Sequence, residues 1–474
     1  MKKNAYWRSR YGYLYFVMVA LFALCFAACK DDDVQEEAFD PSKPIVITDF
    51  MPKKGGFGSN LILTGDNFGN DPSRLRVTVG GKQANILSLK NNRLYCVIPE
   101  KAYDGDILIS VCDDTGEEIA YAEAEGIFEY EKKWLVSTFI GQRYENENEA
   151  HEDEGSFTEC GRISKPMWFS FDPKSDFRYL YLTTHDAGNC RLIDLENEYV
   201  SFLTQFSKAD RPSIINWTAD EKKDMVMTRD LGNDGSVNLI YTRESGFKNN
   251  TALSLRKDKS ATGAVVHPRN GEIYYCTYYA TDIWRYDYNA GEVSTSSKHL
   301  KEKETIRMAI NPTGKYAYMM RSYYNTNGKN NGGYIARMDY IENEKRFAEP
   351  YIIAGTDATY GYEDGVGNRV RMQGPGQGVF VKNKEYANEA EENQYDFYFC
   401  DELNNCIRVL TPSGRVYTFA GRGNGIAAGG YADGDLRTEA RFSGPISIAY
   451  DEKRNCFYVG DSGNKVIRKI ALEE

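Results

Sequence analysis

Six polar residues follow apolar strand patterns at corresponding places along the sequence: His185, Arg229, Tyr278, Arg321, Asp401 and Asp461. If they lie close together, these residues could bind a polar ligand through several hydrogen bonds at once, because they supply two guanidinium groups, two carboxylates, an imidazole and a phenol. The alternative is that these polar side chains only face solvent and pair with one another, without binding a ligand. The sequence leaves both interpretations open.

Tyrosine-rich segments accompany these positions. Tyr323 and Tyr324 lie in segment 321–328, which is rich in aromatic and amide side chains. Tyrosine rings offer apolar faces that stack on the C–H surfaces of sugars, while Asn, Asp and Arg can bind hydroxyl groups. A Gly-Tyr-x-Asp-Gly pattern recurs at Tyr362 and Tyr431, which favours a structural role for those two. Tyr323 and Tyr324 have no such counterpart and are the better ligand-binding candidates.

Signatures of catalysis and of cofactor binding are largely missing. The glycine-rich segments 374–378 and 421–425 follow no βαβ pattern, so they do not indicate a phosphate-binding loop. The sequence contains no Gly-x-Ser-x-Gly motif and no Cys-x-x-Cys pair. We therefore expect no catalytic residues, no cofactor and no metal. A lyase-like enzyme that uses His185, Arg229 and Arg321 on an acidic sugar polymer is the catalytic alternative.

The elements that must position these side chains form a repeat. Segment 441–470 contains three apolar strand patterns of period 2, separated by turns rich in Gly, Asn and Asp, and segment 371–410 repeats it. Four weaker copies precede them, at 179–195, 225–241, 273–288 and 316–340. This pattern is typical of β-propeller blades, and the two C-terminal copies resemble NHL repeats. Six copies predict six blades, with five or seven as alternatives.

The last copy lacks a fourth strand, because the sequence ends at Glu474 soon after its third. Segment 134–141 (WLVSTFIG) matches segment 416–421 (VYTFAG), which supplies the fourth strand of the preceding copy. We therefore predict that this early strand completes the sixth blade, where it would cover an otherwise unpaired edge.

Residues 44–130 form a separate all-β pattern. Short alternating apolar runs are separated by Gly, Asn and Asp turns, which indicates a sandwich. The turn Thr64-Gly65-Asp66-Asn67-Phe68-Gly69 and the later Val79-Gly80-Gly81 resemble the IPT/TIG immunoglobulin-like family, whose domains serve mostly as spacers or binding modules. Oxidising surroundings would permit disulfides, and Cys96–Cys112 is the first pair to test.

The first 28 residues predict an export signal. Basic residues precede an apolar run from Phe16 to Ala28 that is short for a membrane span. The run ends Phe26-Ala27-Ala28-Cys29, which resembles a bacterial lipobox with Cys29 as the lipidated residue. Cys25 is an alternative, although Leu24 before it is a poor cleavage residue, and an ordinary signal with an incidental cysteine is another. The following Lys30-Asp31-Asp32-Asp33 resembles a signal that sends lipoproteins to the outer face of the outer membrane.

The fold class is therefore all-β, an immunoglobulin-like (IPT/TIG) sandwich followed by a six-bladed NHL-like β-propeller. The predicted boundaries are 1–28 for a lipoprotein signal peptide, 29–43 for a lipidated flexible tether, 44–130 for the sandwich and 134–474 for the propeller. The net charge of −11 disfavours binding to nucleic acid.

This order of parts resembles the surface glycan-binding lipoproteins that accompany outer-membrane carbohydrate importers. The resemblance implies a non-catalytic protein that binds an oligo- or polysaccharide at the cell surface, held in the membrane by its lipid alone, in a possible complex with a glycan transporter. A scaffold for protein–protein contacts is a further alternative, because NHL-like propellers often bind proteins.

Overall fold

In the computed structural model, the residues described are 38–90, 92–184, 190–203, 212–229, 238–248, 250–252, 261–278, 282–287, 290, 292–298, 305–322, 332–423 and 428–473. They contain β-strands and a few short 3-10 turns, at Pro72–Arg74, Lys384–Tyr386, Glu391–Asn393 and Glu402–Asn404. Clustering of contacts divides them into two compact units between Lys133 and Trp134. Within this described part, no helix has the length and apolarity that crossing a membrane requires.

The first unit is a β-sandwich. Its strands are β1 (Val46–Met51), β2 (Lys54–Gly55), β3 (Asn60–Asp66), β4 (Leu75–Val79), β5 (Lys82–Gln83), β6 (Asn85–Lys90), β7 (Arg93–Val97), β8 (Ile107–Cys112), β9 (Glu118–Glu123) and β10 (Glu129–Tyr130). One sheet has the order β1-β3-β7-β6 and the other β5-β4-β8-β9, while β2 and β10 pair in parallel. Alternate residues such as Leu75, Val77 and Val79 are buried in a single core, as the period of 2 predicts.

The predicted disulfide pair is not bonded. Cys96 lies on β7 and Cys112 on β8, which belong to different sheets of the sandwich. Both thiols are free and buried. Burial raises the pKa of Cys96 to about 12, so this thiol stays protonated and packs as a small apolar side chain.

The end of the predicted tether is bound to the sandwich. Asn67 has a left-handed backbone (φ 59°), and its side chain accepts a hydrogen bond from the Asp40 amide (2.9 Å) and donates to the carbonyls of Asp40 and Lys43 (both 2.9 Å). Gly65 is needed nearby, since a Cβ there would lie 2.0 Å from the Val46 carbonyl oxygen. Residues 38–43 are therefore part of the folded sandwich, which shortens any tether to the residues before them.

The second unit begins with β11 (Trp134–Ile140). Its next strands are β12 (Gly155–Ser156), β13 (Pro166–Phe171), β14 (Tyr179–Thr184), β15 (Cys190–Asp194), β16 (Tyr199–Phe202), β17 (Pro212–Trp217), β18 (Met225–Arg229), β19 (Asn238–Tyr241), β20 (Asn250–Ala252), β21 (Ala261–Val266), β22 (Ile273–Thr277), β23 (Asp282–Asp287) and β24 (Glu292–Lys298). They are followed by β25 (Thr305–Ile310), β26 (Tyr316–Ser322), β27 (Tyr334–Ile341), β28 (Arg346–Phe347), β29 (Tyr351–Gly355), β30 (Gly365–Val366), β31 (Pro375–Lys382), β32 (Tyr395–Asp401), β33 (Cys406–Leu410), β34 (Arg415–Ala420), β35 (Gly434–Asp435), β36 (Pro445–Asp451), β37 (Cys456–Asp461) and β38 (Val466–Leu472).

These strands form six sheets within the residues described. Blade 1 comprises β12–β16, blade 2 β17–β20, blade 3 β21–β24, blade 4 β25–β29 and blade 5 β30–β34, and blade 6 has the order β35-β11-β38-β37-β36. The first long strand of each blade contacts the first long strand of the next, and β36 of blade 6 contacts β13 of blade 1. The sheets therefore surround a common axis as a six-bladed propeller.

The propeller core lies between neighbouring blades. Six apolar clusters each join two consecutive sheets, and one of them brings Ala449 and Tyr458 of blade 6 against Phe169 and Leu180 of blade 1. Both faces of most strands are therefore buried, as in β26, where all seven residues are buried. A strand buried on both faces gains stability from each cluster that it enters.

The prediction that an early strand completes the last blade is confirmed. Strand β11 pairs antiparallel with β38, with Val136 opposite Ile470 and Leu135 opposite Ala471. Val136 is 1% exposed and packs in the cluster between blades 5 and 6. The first strand of the propeller thus covers the edge of its last sheet.

Candidate functional site

One face of the propeller, which we call the mouth face, lies at the C-terminal ends of the second long strand of each blade: β14, β18, β22, β26, β32 and β37. In five blades the ladder between the first and second long strands begins with a corresponding pair: Pro166–Thr184, Pro212–Arg229, Ala261–Thr277, Pro375–Asp401 and Pro445–Asp461. In blade 4 the first pair is Thr305–Ser322, and Arg321, the residue before Ser322, pairs with Ile306 on one side and Tyr334 on the other. Arg229, Arg321, Asp401 and Asp461 therefore come to this face, as the sequence predicts.

The sequence alignment is one residue out of register in blade 3. Thr277 holds the corresponding ladder position, so Tyr278 comes one residue later. Because side chains alternate across a sheet, a shift of one residue changes the side to which a side chain points. In blade 1 the ladder position is held by Thr184, and the predicted residue His185, like Tyr323 and Tyr324, lies outside the described residues.

Asp401 and Asp461 are buried in matching hydrogen-bond networks. Asp401 is fully buried, forms an ion pair with Arg408 (3.0 Å), and accepts hydrogen bonds from Asn404 (2.9 Å) and the Gln373 amide (2.8 Å). Asp461 is equally buried and engages residues of blade 6 in the same way: Arg468 (3.0 Å), Asn464 (2.8 Å) and the Ser443 amide (2.7 Å). These contacts indicate structural carboxylates, and a ligand-binding role for them stays a prediction.

Burial opposes the charge of both carboxylates. It raises the pKa of Asp461 to about 6, although Asn464, the positive charge of Arg468 and the Ser443 amide all act to lower that pKa. Burial likewise raises the pKa of Asp401 against the lowering effect of Arg408. Each carboxylate is therefore held in its charged form only by its own partners, which fixes the geometry around it.

The same buried arginines connect each network to the recurrent tyrosine pattern. In blade 5, Arg408 bonds to Asp364 (2.8 Å), and Asp364 accepts hydrogen bonds from the amide and hydroxyl of Thr418 (both 3.0 Å). The hydroxyl of Tyr362 lies 2.7 Å from the Thr418 hydroxyl. The Gly-Tyr-x-Asp-Gly pattern therefore fastens this loop to the fourth strand of the blade.

Blade 6 repeats this arrangement with a residue from the beginning of the propeller. Arg468 bonds to Asp433, which accepts hydrogen bonds from the Thr138 amide (3.0 Å) and hydroxyl (3.2 Å). The Tyr431 hydroxyl lies 2.8 Å from the Thr138 hydroxyl. Thr138 of β11 thus takes the place of Thr418 of β34, and the predicted structural role of Tyr362 and Tyr431 agrees with their contacts.

The remaining predicted residues differ in exposure. Arg321 is buried, donates to the Gly332 carbonyl (3.3 Å) and lies 5.3 Å from the centre of the Tyr334 ring. Arg229 and Tyr278 are half-buried. Of the predicted set, the described residues Arg229, Tyr278, Arg321, Asp401 and Asp461 therefore lie at one face, but several of them take part in the packing of that face.

A cavity of about 440 Å³ opens at the mouth face between blades 5 and 6. Its polar lining comprises Arg143, Glu402, Asn405, Tyr431, Ser443 and Asn464. Asn405 accepts a hydrogen bond from the Gly444 amide (2.8 Å), and Asn464 donates to the Gly430 carbonyl (2.8 Å), so both amides are fixed by the backbone. The buried networks beneath thus give the cavity a rigid floor.

Arg143 forms one side of this cavity. It is exposed, and its guanidinium carbon lies 5.4 Å from the centre of the Tyr431 ring, within the range of a cation–π contact. The corresponding residue of blade 5 is Gly423, where a Cβ would lie 2.2 Å from the Tyr362 ring. The Arg143–Tyr431 pair therefore has no counterpart in blade 5.

Sequence reasoning did not identify Arg143 and Glu402 as candidates. A signal for Arg143 was present, because the match of segment 134–141 to the fourth strand of blade 5 already places the next residues at the mouth face. Glu402 directly follows Asp401, and only Asp401 was selected because it occupies the aligned position.

A second cavity, of about 390 Å³, lies on the propeller axis toward the opposite ends of the first strands. All six of these strands contribute residues to its lining, and these residues include Phe171, Phe380 and Tyr450. Gln377 crosses between strands here, accepting hydrogen bonds from the amides of Phe169 (2.9 Å) and Ile448 (3.2 Å) and donating to the Phe169 carbonyl (2.8 Å). Sequence reasoning did not predict this cavity.

No metal-binding group of three or more His, Cys, Asp or Glu side chains occurs in the part of the chain that the structure describes. The expectation of a protein without metal or cofactor stays a prediction.

A sandwich followed by a closed propeller with a polar cavity at its mouth face defines the class of this protein. Residues 44–124 match the IPT/TIG domain, which confirms the predicted sandwich family. No curated protein matches the chain.

Solved structures resemble the whole arrangement. An auxiliary nutrient binding protein from Bacteroides thetaiotaomicron is 44% identical, with a TM-score of 0.82, over 92% of this chain and 100% of that one. One from Bacteroides ovatus is 38% identical, with a TM-score of 0.69 and the same coverage. A third protein, from Bacteroides thetaiotaomicron and provisionally called a phosphatase, is 33% identical, with a TM-score of 0.78, over 92% of this chain and 99% of that one. The chain belongs to the family of these Bacteroides auxiliary nutrient binding proteins.

Proposed function

We propose that this protein is a lipid-anchored cell-surface receptor that binds oligo- or polysaccharide for an uptake system, without catalysis, and that the mouth-face cavity between blades 5 and 6 is its binding site. The observation that carries the proposal is the rigid polar cavity with an exposed tyrosine, in a chain 44% identical to a nutrient-binding protein. A membrane-held receptor raises the effective concentration of ligand near a transporter even where each contact is weak.

The chemistry of the cavity suits a sugar. Tyr431 is 39% exposed, so part of its ring is open to the C–H face of a pyranose. Glu402, Ser443 and Arg143 offer acceptors and donors for hydroxyl groups along the same wall. Because Tyr431 is held by Thr138 and Arg468 before any ligand arrives, little conformational freedom is lost on binding.

The binding site is tested with a panel of polysaccharides and the purified mature protein. Arg143→Ala should weaken retention of the bound polymer about tenfold, which corresponds to the loss of one charge-assisted hydrogen bond. Tyr121→Ala, which removes a tyrosine exposed on the sandwich, is the matched control and should have no effect. If only the double variant Tyr323→Ala, Tyr324→Ala abolishes retention, the site lies at those residues and not in the cavity.

The same incubations test the alternatives. New reducing ends or unsaturated products would favour a carbohydrate-active enzyme, and release of phosphate from phosphorylated sugars would favour the activity for which one relative is provisionally named. Capture of an outer-membrane transporter that is independent of glycan would favour a protein scaffold. Retention without products supports the receptor.

The anchor is tested separately in cells. Cys29→Ser should move the protein from the outer-membrane fraction to the soluble fraction if Cys29 is lipidated, while Cys25→Ser should leave it in the membrane. Protease treatment of intact cells should degrade the anchored protein only if it faces the exterior. An unchanged membrane fraction in Cys29→Ser would overturn the predicted anchor and leave the binding proposal intact.

A further inference from the structure

Four arginines occur at or near the cavity between blades 5 and 6, and we call them the arginine rim: Arg143 lines the cavity, and Arg422, Arg437 and Arg441 lie in the adjoining part of the chain between β34 and β36. Arg143, Arg422 and Arg437 are exposed, and Arg441 is half-buried. Three of the four lie between β34 and β36, and described residues from this part of the chain, among them Gly430, Tyr431 and Ser443, line the cavity. Four like charges in this small region are unexpected in a chain whose net charge is −11.

Short contacts relate the members of the rim to the cavity and to one another. Arg143 lies over the ring of Tyr431, and a Cβ added to Gly430, the residue before Tyr431, would lie 3.4 Å from the Cβ of Arg441. Burial and then the nearby positive charge of Arg422 lower the pKa of Arg441, as expected when two guanidinium groups repel each other. Arg437 bonds to the Gly421 carbonyl, one residue before Arg422.

None of these four arginines forms an ion pair with any residue that the structure describes. Their hydrogen bonds go to neutral oxygens: Arg422 to the Thr438 carbonyl (3.4 Å), Arg437 to the Tyr362 hydroxyl (3.4 Å) and Arg441 to the carbonyls of Glu439 (2.8 Å) and Ala440 (2.7 Å). By contrast, the buried Arg408 and Arg468 each pair with two carboxylates. The charge of the rim is therefore not neutralised by the neighbouring carboxylates.

Three acidic residues stand close to the rim and must be weighed against it. Glu402 lines the cavity, and Glu439 accepts a hydrogen bond from the Asp435 amide (2.9 Å). The Asp435 carboxylate accepts hydrogen bonds from the Arg437 amide (3.1 Å) and the Thr438 hydroxyl (2.8 Å). The carboxylate of Asp433, beside Tyr431, is bound by Arg468. Four guanidinium groups against the carboxylates of Glu402, Asp435 and Glu439 leave the rim positive.

We infer that the ligand of this site is an anionic glycan, which carries carboxylate or sulfate groups along its chain. The planar guanidinium group presents paired donors that match a carboxylate or sulfate, and it bonds to such anions more strongly than to neutral hydroxyls. Tyr431 supplies an apolar surface beside Arg143 for the sugar ring between successive anionic groups. This inference rests on the proposed function, since it names the class of glycan that the same cavity takes.

The inference is tested with two matched pairs of polymers: polygalacturonate against its carboxyl-reduced neutral form, and dextran sulfate against dextran. Binding to one or both anionic polymers should exceed binding to the neutral partner by about tenfold or more at low ionic strength. It should weaken as salt rises from about 0.02 to about 0.3 M, because screening reduces the attraction between exposed charges. The member that binds identifies carboxylate or sulfate as the recognised group.

Variants locate the effect. Arg143→Gln, Arg422→Gln and Arg437→Gln should each weaken binding of the anionic polymer about three- to tenfold and leave the melting temperature unchanged, since each is exposed. Arg415→Gln is the matched control, because Arg415 is also an exposed arginine. It lies at the start of β34, whereas Arg422 follows the end of that strand. An equal loss in Arg415→Gln would overturn the assignment to the rim.

The outcomes separate this inference from the proposed function. Equal binding of neutral and anionic polymers, or preference for the neutral one, would overturn the anionic class and leave the glycan receptor standing. Equal binding of polyglutamate, with the same loss in the arginine variants, would show a site for any polyanion and overturn both proposals. Binding of none of these polymers would also overturn both.

Discussion

Blades 5 and 6 have the same construction, but their fourth strands come from different parts of the sequence. In blade 5, β34 follows β33 directly and Thr418 on β34 holds Asp364 and Tyr362. In blade 6 the corresponding strand is β11, and Thr138 reaches Tyr431 across 293 residues of sequence. The hydrogen-bond pattern is nevertheless the same. The comparison teaches that the closing strand reproduces a standard blade and that the propeller is closed by specific polar contacts in addition to apolar packing.

The largest effect is expected from a charge placed in the closing strand. Val136 and the corresponding Val416 of blade 5 are 1% and 0% exposed, so Val136→Asp and Val416→Asp each bury an uncompensated carboxylate and should lower the free energy of unfolding by about 4 kcal/mol or more. Only Val136→Asp should detach β11 from β38, which hydrogen exchange of the Val466–Leu472 amides would detect.

Ser137→Asp is the control for the closing strand, because the neighbouring side chain is exposed and carries the same charge without burial. Equal loss of protection at Val466–Leu472 in Val416→Asp would contradict a specific closing role for β11.

The next effect concerns the buried ion pairs. Arg408→Met and Arg468→Met each leave a fully buried carboxylate without its cation, and the free energy of unfolding should fall by about 3–5 kcal/mol in both variants. Chemical denaturation measures the loss. Adding Asp401→Asn or Asp461→Asn to the respective variant should restore part of it, since the uncompensated charge is then gone. A loss below about 1 kcal/mol in either blade would show that its network is not needed for stability.

Smaller and equal effects are expected from the two threonines. Thr138→Val and Thr418→Val keep the size of the side chain but remove the hydroxyl that bonds to an aspartate and a tyrosine in each blade. Each variant should lose about 1–2 kcal/mol, measured by thermal unfolding. A clearly larger loss for Thr138→Val would mean that closure depends on this contact more than an ordinary blade does.

The last expected effect is a dependence on pH. Since burial raises the pKa of Asp461 from 3.8 to about 6, the folded protein binds this proton more tightly than the unfolded chain does. The stability that this residue contributes is therefore fully present below about pH 4 and is lost as the pH rises through about 6. The melting temperature of Asp461→Asn, plotted from pH 4 to 7, should lack this fall. Parallel curves for the variant and the native protein would contradict the raised pKa.

The architecture could be predicted from the sequence because its signals are local and repeated. Alternating apolar runs between Gly, Asn and Asp turns predict strands, and the resemblance of 134–141 to 416–421 predicts the closing strand. The sandwich prediction is confirmed over residues 44–124. Contacts made by single side chains could not be predicted from these patterns. Residues 38–43 are an example, because their attachment to the sandwich depends on the left-handed residue Asn67.

The candidate site could be predicted only to the level of a face. Blades 5 and 6 carry an Asp, an Asn three residues later and an Arg four residues after that, which fixes their alignment, whereas Thr184 and Thr277 replace that Asp in blades 1 and 3. Without the aspartate the alignment shifted by one residue at Tyr278. The cavity itself depends on the pairing of β11 with β38, because only that pairing brings Arg143 over Tyr431.

The pairing of β11 with β38 also constrains how the propeller is made. The ribosome synthesises β11 before every other strand of this unit, and its partner β38 after all of them. The sixth sheet can therefore assemble only when every strand of the propeller has been made, and contacts so distant in sequence form slowly. Until then the edges of β11 and β37 stay exposed to other chains, so we expect folding to need protection against aggregation.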